Sequence, residues 1–297
     1  MATVQDLKRR IRSIRNTRKI TKAMELVASA RLRRAQARIE AMRPYADRMQ
    51  ELMIGTARAA ASVHGLPLLQ RREERAVGIL VLTGDRGLAG AFNAQVLRHA
   101  FALGRSLEAE SKQVRWLVSG KKGGSTLRFR GYEVSQAWTG FSDRPAYADA
   151  QALAHRLIEL YVDGEIDRAV IVYNQFQSAL VQRVTEQDLL PVPEQVLHAG
   201  EDEADEERKL VGDFIYEPEP EEILARLLPV YVETEIYRSL LESAASEQGA
   251  RMTAMRNASK NAGELIDNLT LAMNRARQAE ITQEILEVVA GADALTA

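Results

Sequence analysis

Glycines spaced by threes behind an apolar strand are the first place in this chain where chemistry could be done. The stretch VGILVLTGDRGLAGAFN, Val77 to Asn93, passes from a strand-like run into a glycine-rich turn and then into a helix-like segment. A phosphate cradle has that layout, because backbone N–H groups at a helix start meet an anion. The spacing, however, is Gly84-x-x-Gly87-x-x-Gly90, and the dinucleotide fingerprint needs its first two glycines closer together so that the backbone can reach the pyrophosphate. No Lys-Ser/Thr pair follows to make a P-loop, and Asp85 would repel a phosphate. The glycines therefore read as a structural strand-to-helix turn. A second candidate, SGKKGGST (Ser119 to Thr126), offers two lysines after another strand, lacks the P-loop spacing as well, and reads as a basic surface turn.

Other reactive groupings are missing from the sequence. There is no cysteine, which excludes disulfides, thiol catalysis and cysteine metal sites. The histidines His64, His99, His155 and His198 show no ligand spacing, and no Ser/His/Asp set or HExxH pair occurs. The reading is of a chain with no catalytic residues, cofactor or metal of its own. No segment approaches the roughly 18 uncharged apolar residues of a membrane span. The arginine-rich start, MATVQDLKRRIRSIRN, continues its pattern far beyond transit-peptide length and reads as mature structure.

Charge supplies a different kind of candidate. The net charge is −1, yet residues 1–48 carry 14 Lys/Arg against 4 Asp/Glu, and residues 201–222 carry 11 Asp/Glu against 2 Lys/Arg. A near-neutral total argues against general nucleic-acid coating. Lys8, Arg12, Arg15, Lys19 and Lys22 recur by fours and threes, so they line one side of a helix beside its apolar seam. With hardly any Glu among them, they call for an acidic partner alongside. At the other terminus, ITQEILEVVAGADAL places Ile285, Leu286, Val288, Val289, Ala290 and Leu295 nearly all round a helix. A surface apolar on every side must be covered, here by another protein forming a sleeve.

Long helices must carry these features. Val4, Leu7, Ile11, Ile14, Thr21, Ala28, Leu32, Ala35, Ile39, Met42, Ala46, Met49 and Met53 step by threes, fours and sevens along a heptad seam, with Arg18 and Glu25 as polar breaks and Pro44 predicting a kink or restart. After YEPEPEEIL a second seam runs through Met252, Met255, Ser259, Ala262, Ile266, Leu269, Met273 and Ala276. Helices of this length, on the order of 90–110 Å at 1.5 Å per residue, cannot sit inside one domain and should pair as an antiparallel coiled coil. Between them, AVGILVLT, QVRWLVSG and RAVIVYNQF alternate with helical patterns, which means βαβ units and a mostly parallel sheet. ALVQRVTEQDLL adds a strand-like run, and AGEDEADEERK reads as a solvated loop or hairpin. The expected architecture is α/β: a coiled-coil helix over 1–62, a Rossmann-like α/β domain over 75–210, and a second coiled-coil helix over 219–297 pairing with the first.

Several of these stretches, in this order, resemble one family. ITQEILEVVAGADA is similar to the signature of the γ subunit of F-type ATP synthases, and IRSIRNTRKITKAMELVASARLRRAQ, GDRGLAGAFN, YEPEPEEIL and SLLESAASEQGARMTAMRNASKNAGELIDNLTLAMNRARQAEI resemble the same family. Leu26, Ala89 and Ala91 are minor departures, and the cysteine-bearing insert of the chloroplast type is missing. The resemblance implies a bacterial-type rotor shaft that couples proton flow through a membrane c-ring to ATP synthesis or hydrolysis on β subunits. Its implied partners are a hexamer of α and β in 3:3:1 ratio with this chain, an ε subunit and the c-ring, at the cytoplasmic face of the plasma membrane. It places Lys19, Lys22, Met24, Arg277 and Gln278 against β, the tip residues Ile285, Leu286, Val288 and Val289 in the hexamer's sleeve, and Phe214, Tyr216 and Glu217 against the c-ring. Read from the residues alone, a nucleotide-binding α/β protein and a basic coiled-coil tether for nucleic acid stay open.

Overall fold

The computed structural model describes residues 3–60, 65–193 and 217–296, with side chains described to residue 290. Helix α1 (Val4–Ala59) leads through a short 3-10 turn (Pro67–Leu69) to strand β1 (Ala76–Leu82). Then come α2 (Phe92–Ala109), β2 (Gln113–Ser119), α3 (Lys121–Phe129), β3 (Val134–Trp138), α4 (Tyr147–Val162), β4 (Arg168–Phe176) and β5 (Gln182–Leu190). The last element is α5 (Pro220–Thr296), 77 residues long. The chain divides into two compact units, one of residues 29–250 and one of residues 1–28 with 251–297.

In the larger unit the five strands lie in the order β3-β2-β1-β4-β5, parallel except for the β4–β5 hairpin. Strand β1 is central and almost wholly buried, as expected for a β-branched run covered on both faces. Its alternation divides the core. Leu80 and Leu82 join Leu153, Leu157 and Leu160 of α4 and Leu224, Leu228, Val232 and Ile236 of α5 on one face. Val77, Ile79 and Val81 join Val96, Leu97, Ala100 and Phe101 of α2 on the other. Each fully buried side chain of this size contributes roughly 1.5–3 kcal/mol by leaving water.

The α/β class and the mostly parallel sheet agree with the sequence reading; SGKKGGST differs from it, Pro44 does not restart the helix, and one strand is added. SGKKGGST is not a surface turn: Gly120 precedes helix α3, and Gly123 and Gly124 are buried within it. The Cβ of any other residue at 123 would lie 2.6 Å from Thr83 Oγ1 and from Val118, so Gly123 serves close packing. Pro44 lies inside α1, which continues on both sides of it. One lost backbone bond is tolerated there because Met42, Met49 and Met53 keep the flanking turns buried. Strand β3 was not foreseen; VSQAW is half-exposed at the sheet edge and carries little apolar alternation. The acidic stretch 199–209 lies outside the described residues.

Candidate functional site

The glycine turn sits where an open α/β sheet usually receives a ligand, beyond the carboxyl end of a strand. Its own residues occupy that place. The Asp85 carboxylate accepts hydrogen bonds from the backbone N–H groups of Lys121 (3.0 Å), Gly140 (2.8 Å) and Ser142 (3.3 Å). An internal carboxylate thus takes donors that a phosphate would need, including the first N–H of α3. The N–H of Gly84 is bonded to Asn93 Oδ1 at 2.8 Å, and the carboxylate of Glu247 from α5 lies over Gly84, where a Cβ would come within 2.8 Å of it. The turn is a junction between strand ends and helix α5.

That junction extends along α5. Residues 232–249 are buried or half-buried without a break, although Glu233, Glu235, Glu242, Glu247 and Gln248 are among them. Burial of so many polar groups is affordable only where partners meet them. Ser246 Oγ donates to Asn174 O (2.9 Å) and Gln248 Nε2 to Asp143 (3.1 Å). Asp143 also meets Arg31 of α1 at 2.9 Å and Arg86 of the glycine turn at 3.4 Å. Tyr147 and Gln151 donate to Glu233, and His155 Nε2 lies 3.1 Å from it. Burial, then the Glu233 carboxylate, raises the Tyr147 hydroxyl's pKa well above its usual range. This grip on α5 escaped the sequence reading; the run SLLESAASEQGA carried the signal, since small residues on a helix mark close approach.

Glu242 stands out within the grip. One of its oxygens has no hydrogen-bond partner among the described residues. Burial raises its pKa, opposed by Arg238 and by the Phe176 N–H. Its proton is therefore held more tightly in the folded than in the unfolded chain. Stability from this group is full below the ordinary carboxylate range and falls as pH rises through the folded value. Glu242→Gln should remove that loss and raise the melting midpoint at pH 7.5 by about 2–4 °C, for a gain near 1 kcal/mol. Melts at pH 4 should show no gain; an equal shift at both pH values would contradict the assignment.

The smaller unit holds the basic stripe and the tip. Lys8, Arg12, Arg15, Lys19 and Lys22 line one groove of about 1220 Å³ with Ser259, Ile266, Thr270 and Met273 of α5. The expected seams pack inward: Leu7, Ile11, Thr21 and Ala28 of α1 and Met252, Met255, Ala262 and Ile266 of α5 are buried. Glu25 is buried too, held by Lys22 at 3.0 Å and by Arg256 at 3.1 Å. Its pKa is lowered, first by the Lys22 hydrogen bond and then, against burial, by Arg256.

Lys19 and Lys22 are exposed, Met24 is half-buried, and Arg277 and Gln278 are exposed near the far end of α5. Lys19 and Lys22 are brought together in the groove; Arg277 and Gln278 are not among its lining residues. From Arg277 to Ala290 every side chain is exposed, including Ile285, Leu286, Val288 and Val289. Glu217 is exposed just before α5, and Phe214 and Tyr216 lie outside the described residues.

Comparison with known proteins matches these features to one family. A family model described as ATP synthase covers residues 3–295. The "ATP synthase gamma chain" of Moorella thermoacetica is 45% identical over 295 residues, spanning 99% of this chain and 100% of the relative. That of Rubrobacter xylanophilus is 45% identical over 298 residues, with both chains fully covered. Among solved structures, the central stalk and c-ring of the Tetrahymena thermophila mitochondrial ATP synthase matches with TM-score 0.59 and 25% identity, covering 81% of this chain and 99% of that one. The rotor of the Euglena gracilis mitochondrial enzyme matches with TM-score 0.64 over 94% of this chain and 98% of that one; at 17% identity it shows the fold alone. With a match along nearly its whole length and relatives this similar from end to end, the chain belongs to the ATP synthase gamma chain family.

Proposed function

We propose a division of labour along this rotor chain. It is the central shaft of an F-type ATP synthase, a non-catalytic subunit of a peripheral membrane assembly; it couples proton flow through the c-ring to ATP synthesis or hydrolysis on the β subunits. The helix of residues 1–62 and that of 219–297 form the shaft, and residues 75–210 form its foot. One observation carries the assignment: α5 is gripped by polar and apolar contacts over 232–249 and bare on all sides over 277–290. A helix held at one stretch and apolar but uncovered at another suits an axle end turning in a sleeve, where directional bonds would resist rotation.

In this reading Ile285, Leu286, Val288 and Val289 turn inside the top of the α/β hexamer. Lys19, Lys22 and Met24, with Arg277 and Gln278 nearer the tip, face β. Phe214, Tyr216 and Glu217 meet the c-ring at the foot, where ε also binds, on the cytoplasmic face of a bacterial plasma membrane. Coupling requires only that each shaft angle contact open and closed β states with different free energy. No helix among the described residues is long and apolar enough to cross a membrane, which suits a shaft that rests on the ring.

Co-expression with the α and β subunits should yield an ATPase containing three α, three β and one copy of this chain. Mass measurement of the purified complex reads the ratio. A fully active complex that leaves this chain out in variable proportion would overturn the assignment.

A further inference from the structure

Two contacts in the smaller unit define how its helices are aligned. Glu25 of α1 meets Arg256 of α5. One heptad earlier, the Arg18 guanidinium lies against Gly263, in van der Waals contact at 3.5 Å with a Cβ built there. In both contacts the residue numbers add to 281, so the helices run antiparallel in a single register. Ile11 and Thr270, in the same phase one heptad further on, line a common groove.

The two polar breaks in the apolar seam are the groups that distinguish this register from its neighbours. A slip of one heptad in one direction lays Glu25 over Gly263 and takes its carboxylate away from Arg256. A slip in the other direction brings Arg18 against Arg256, two like charges. Apolar seam positions tolerate such slips, because each heptad offers another apolar hole. Glu25 keeps Lys22 of its own helix in either slip, but it gives up the cation that α5 supplies, Arg256, and a buried carboxylate is destabilised by that loss.

We propose that Glu25–Arg256 and Arg18–Gly263 form a two-point register lock that sets how far the end of α5 projects beyond the start of α1. In the observed register Val4 lies across from Arg277, so Gln278 onward has no α1 residue beside it. This agrees with the change from half-buried Ala276 to exposed residues from Arg277. A one-heptad slip moves the projecting end by about 10 Å. The functional consequence rests on the shaft reading above: the lock decides which α5 residues reach the sleeve. Glu25, Arg256, Arg18 and Gly263 are then positioning residues that act through the tip.

The natural chain has no cysteine, so an introduced pair reports register without background. Ile11→Cys with Thr270→Cys should form a disulfide under mild oxidation, whereas Ile11→Cys with Arg277→Cys, one heptad out of register, should form at least ten-fold less. Arg256→Glu repels Glu25 and offers Arg18 an opposite charge, so it should shift cross-linking toward Val4→Cys with Thr270→Cys, the pair of the opposite slip. The charge swap Glu25→Arg with Arg256→Glu should return it to 11–270. Circular dichroism of each variant keeps loss of helix apart from change of register. Helices intact with 11–270 still dominant in the Arg256→Glu chain, or a swap that fails to restore it, would overturn the lock. The same variants in the 3:3:1 complex, reconstituted with the membrane sector, should lose proton pumping per ATP and regain it with the swap. Cross-links that shift while pumping stays unchanged would establish the lock and count against the sleeve role of the tip.

Discussion

Gly120→Ala is expected to cost the sheet unit a large part of its folding stability. Gly120 lies between β2 and α3 with φ 99°, and a Cβ there would stand 2.1 Å from the backbone oxygen of Thr83 and 2.6 Å from its hydroxyl. Neither atom is free to retreat. Thr83 N–H donates to Ser119 O at 2.8 Å, and the Thr83 hydroxyl bonds to Ser119 O (2.8 Å) while accepting from Gly123 N–H (2.9 Å). Gly120 N–H in turn donates to Trp138 O of β3 at 2.8 Å. Moving Thr83 away would open β1 from β2, and moving Gly120 would release β3. Backbone strain, a lost ladder and steric overlap together should exceed roughly 4 kcal/mol, a large part of the 5–15 kcal/mol that holds a typical protein folded. Gly131→Ala is the control, since Gly131 has φ 82° with nothing within 4 Å of a built Cβ; strain alone should cost about 1 kcal/mol. Soluble yield and thermal unfolding of the two variants separate the cases. Similar behaviour of both would mean that the close approach at Thr83 is not what requires glycine.

What could be read from the residues depended on whether the signal was periodic. Both long helices were legible because seams such as Leu7, Ile11, Thr21 and Ala28 repeat, and the structure buries them. Strands β1, β2 and β4 were legible as short apolar runs bounded by turns, whereas β3 was not, because Ser135 and Gln136 face outward at an edge. The glycine turn gave up half of its meaning. Its spacing argued against a phosphate, but only the fold shows Asp85 collecting three N–H groups from segments 36 to 57 residues away. The grip on α5 was the larger omission. Glu233, Glu242 and Glu247 look like a solvated helix face, and nothing local tells that Tyr147, the Phe176 backbone and the turn at Gly84 come to meet them. The register lock was half visible: Arg18 and Glu25 were marked as breaks in the seam, while their partners on α5 are set by tertiary pairing.

The second large effect is expected from removing both ends of the shaft. Residues 1–20 carry Lys8, Arg12, Arg15 and Lys19 of the basic groove, and residues 278–297 include the exposed Ile285, Leu286, Val288 and Val289 of the tip. Without them the hexamer would keep its nucleotide sites but have far less shaft surface whose contact with open and closed β subunits differs by angle. Coupling free energies between sites of only 1–3 kcal/mol change affinities 5–150-fold, so a shaft stripped of these contacts should fail to link catalysis to ring rotation well before it fails to assemble. The larger unit, 29–250, keeps its own core, which separates loss of coupling from loss of folding.

The measurement is acidification of sealed inverted membrane vesicles on addition of ATP, normalised to ATP hydrolysed, for the complete complex and for the complex with residues 1–20 and 278–297 deleted together. A rotor shaft requires acidification with the intact chain and at least a ten-fold loss per ATP with the deleted one. Equal acidification per ATP in the two complexes would contradict the role of this chain as the element that couples them.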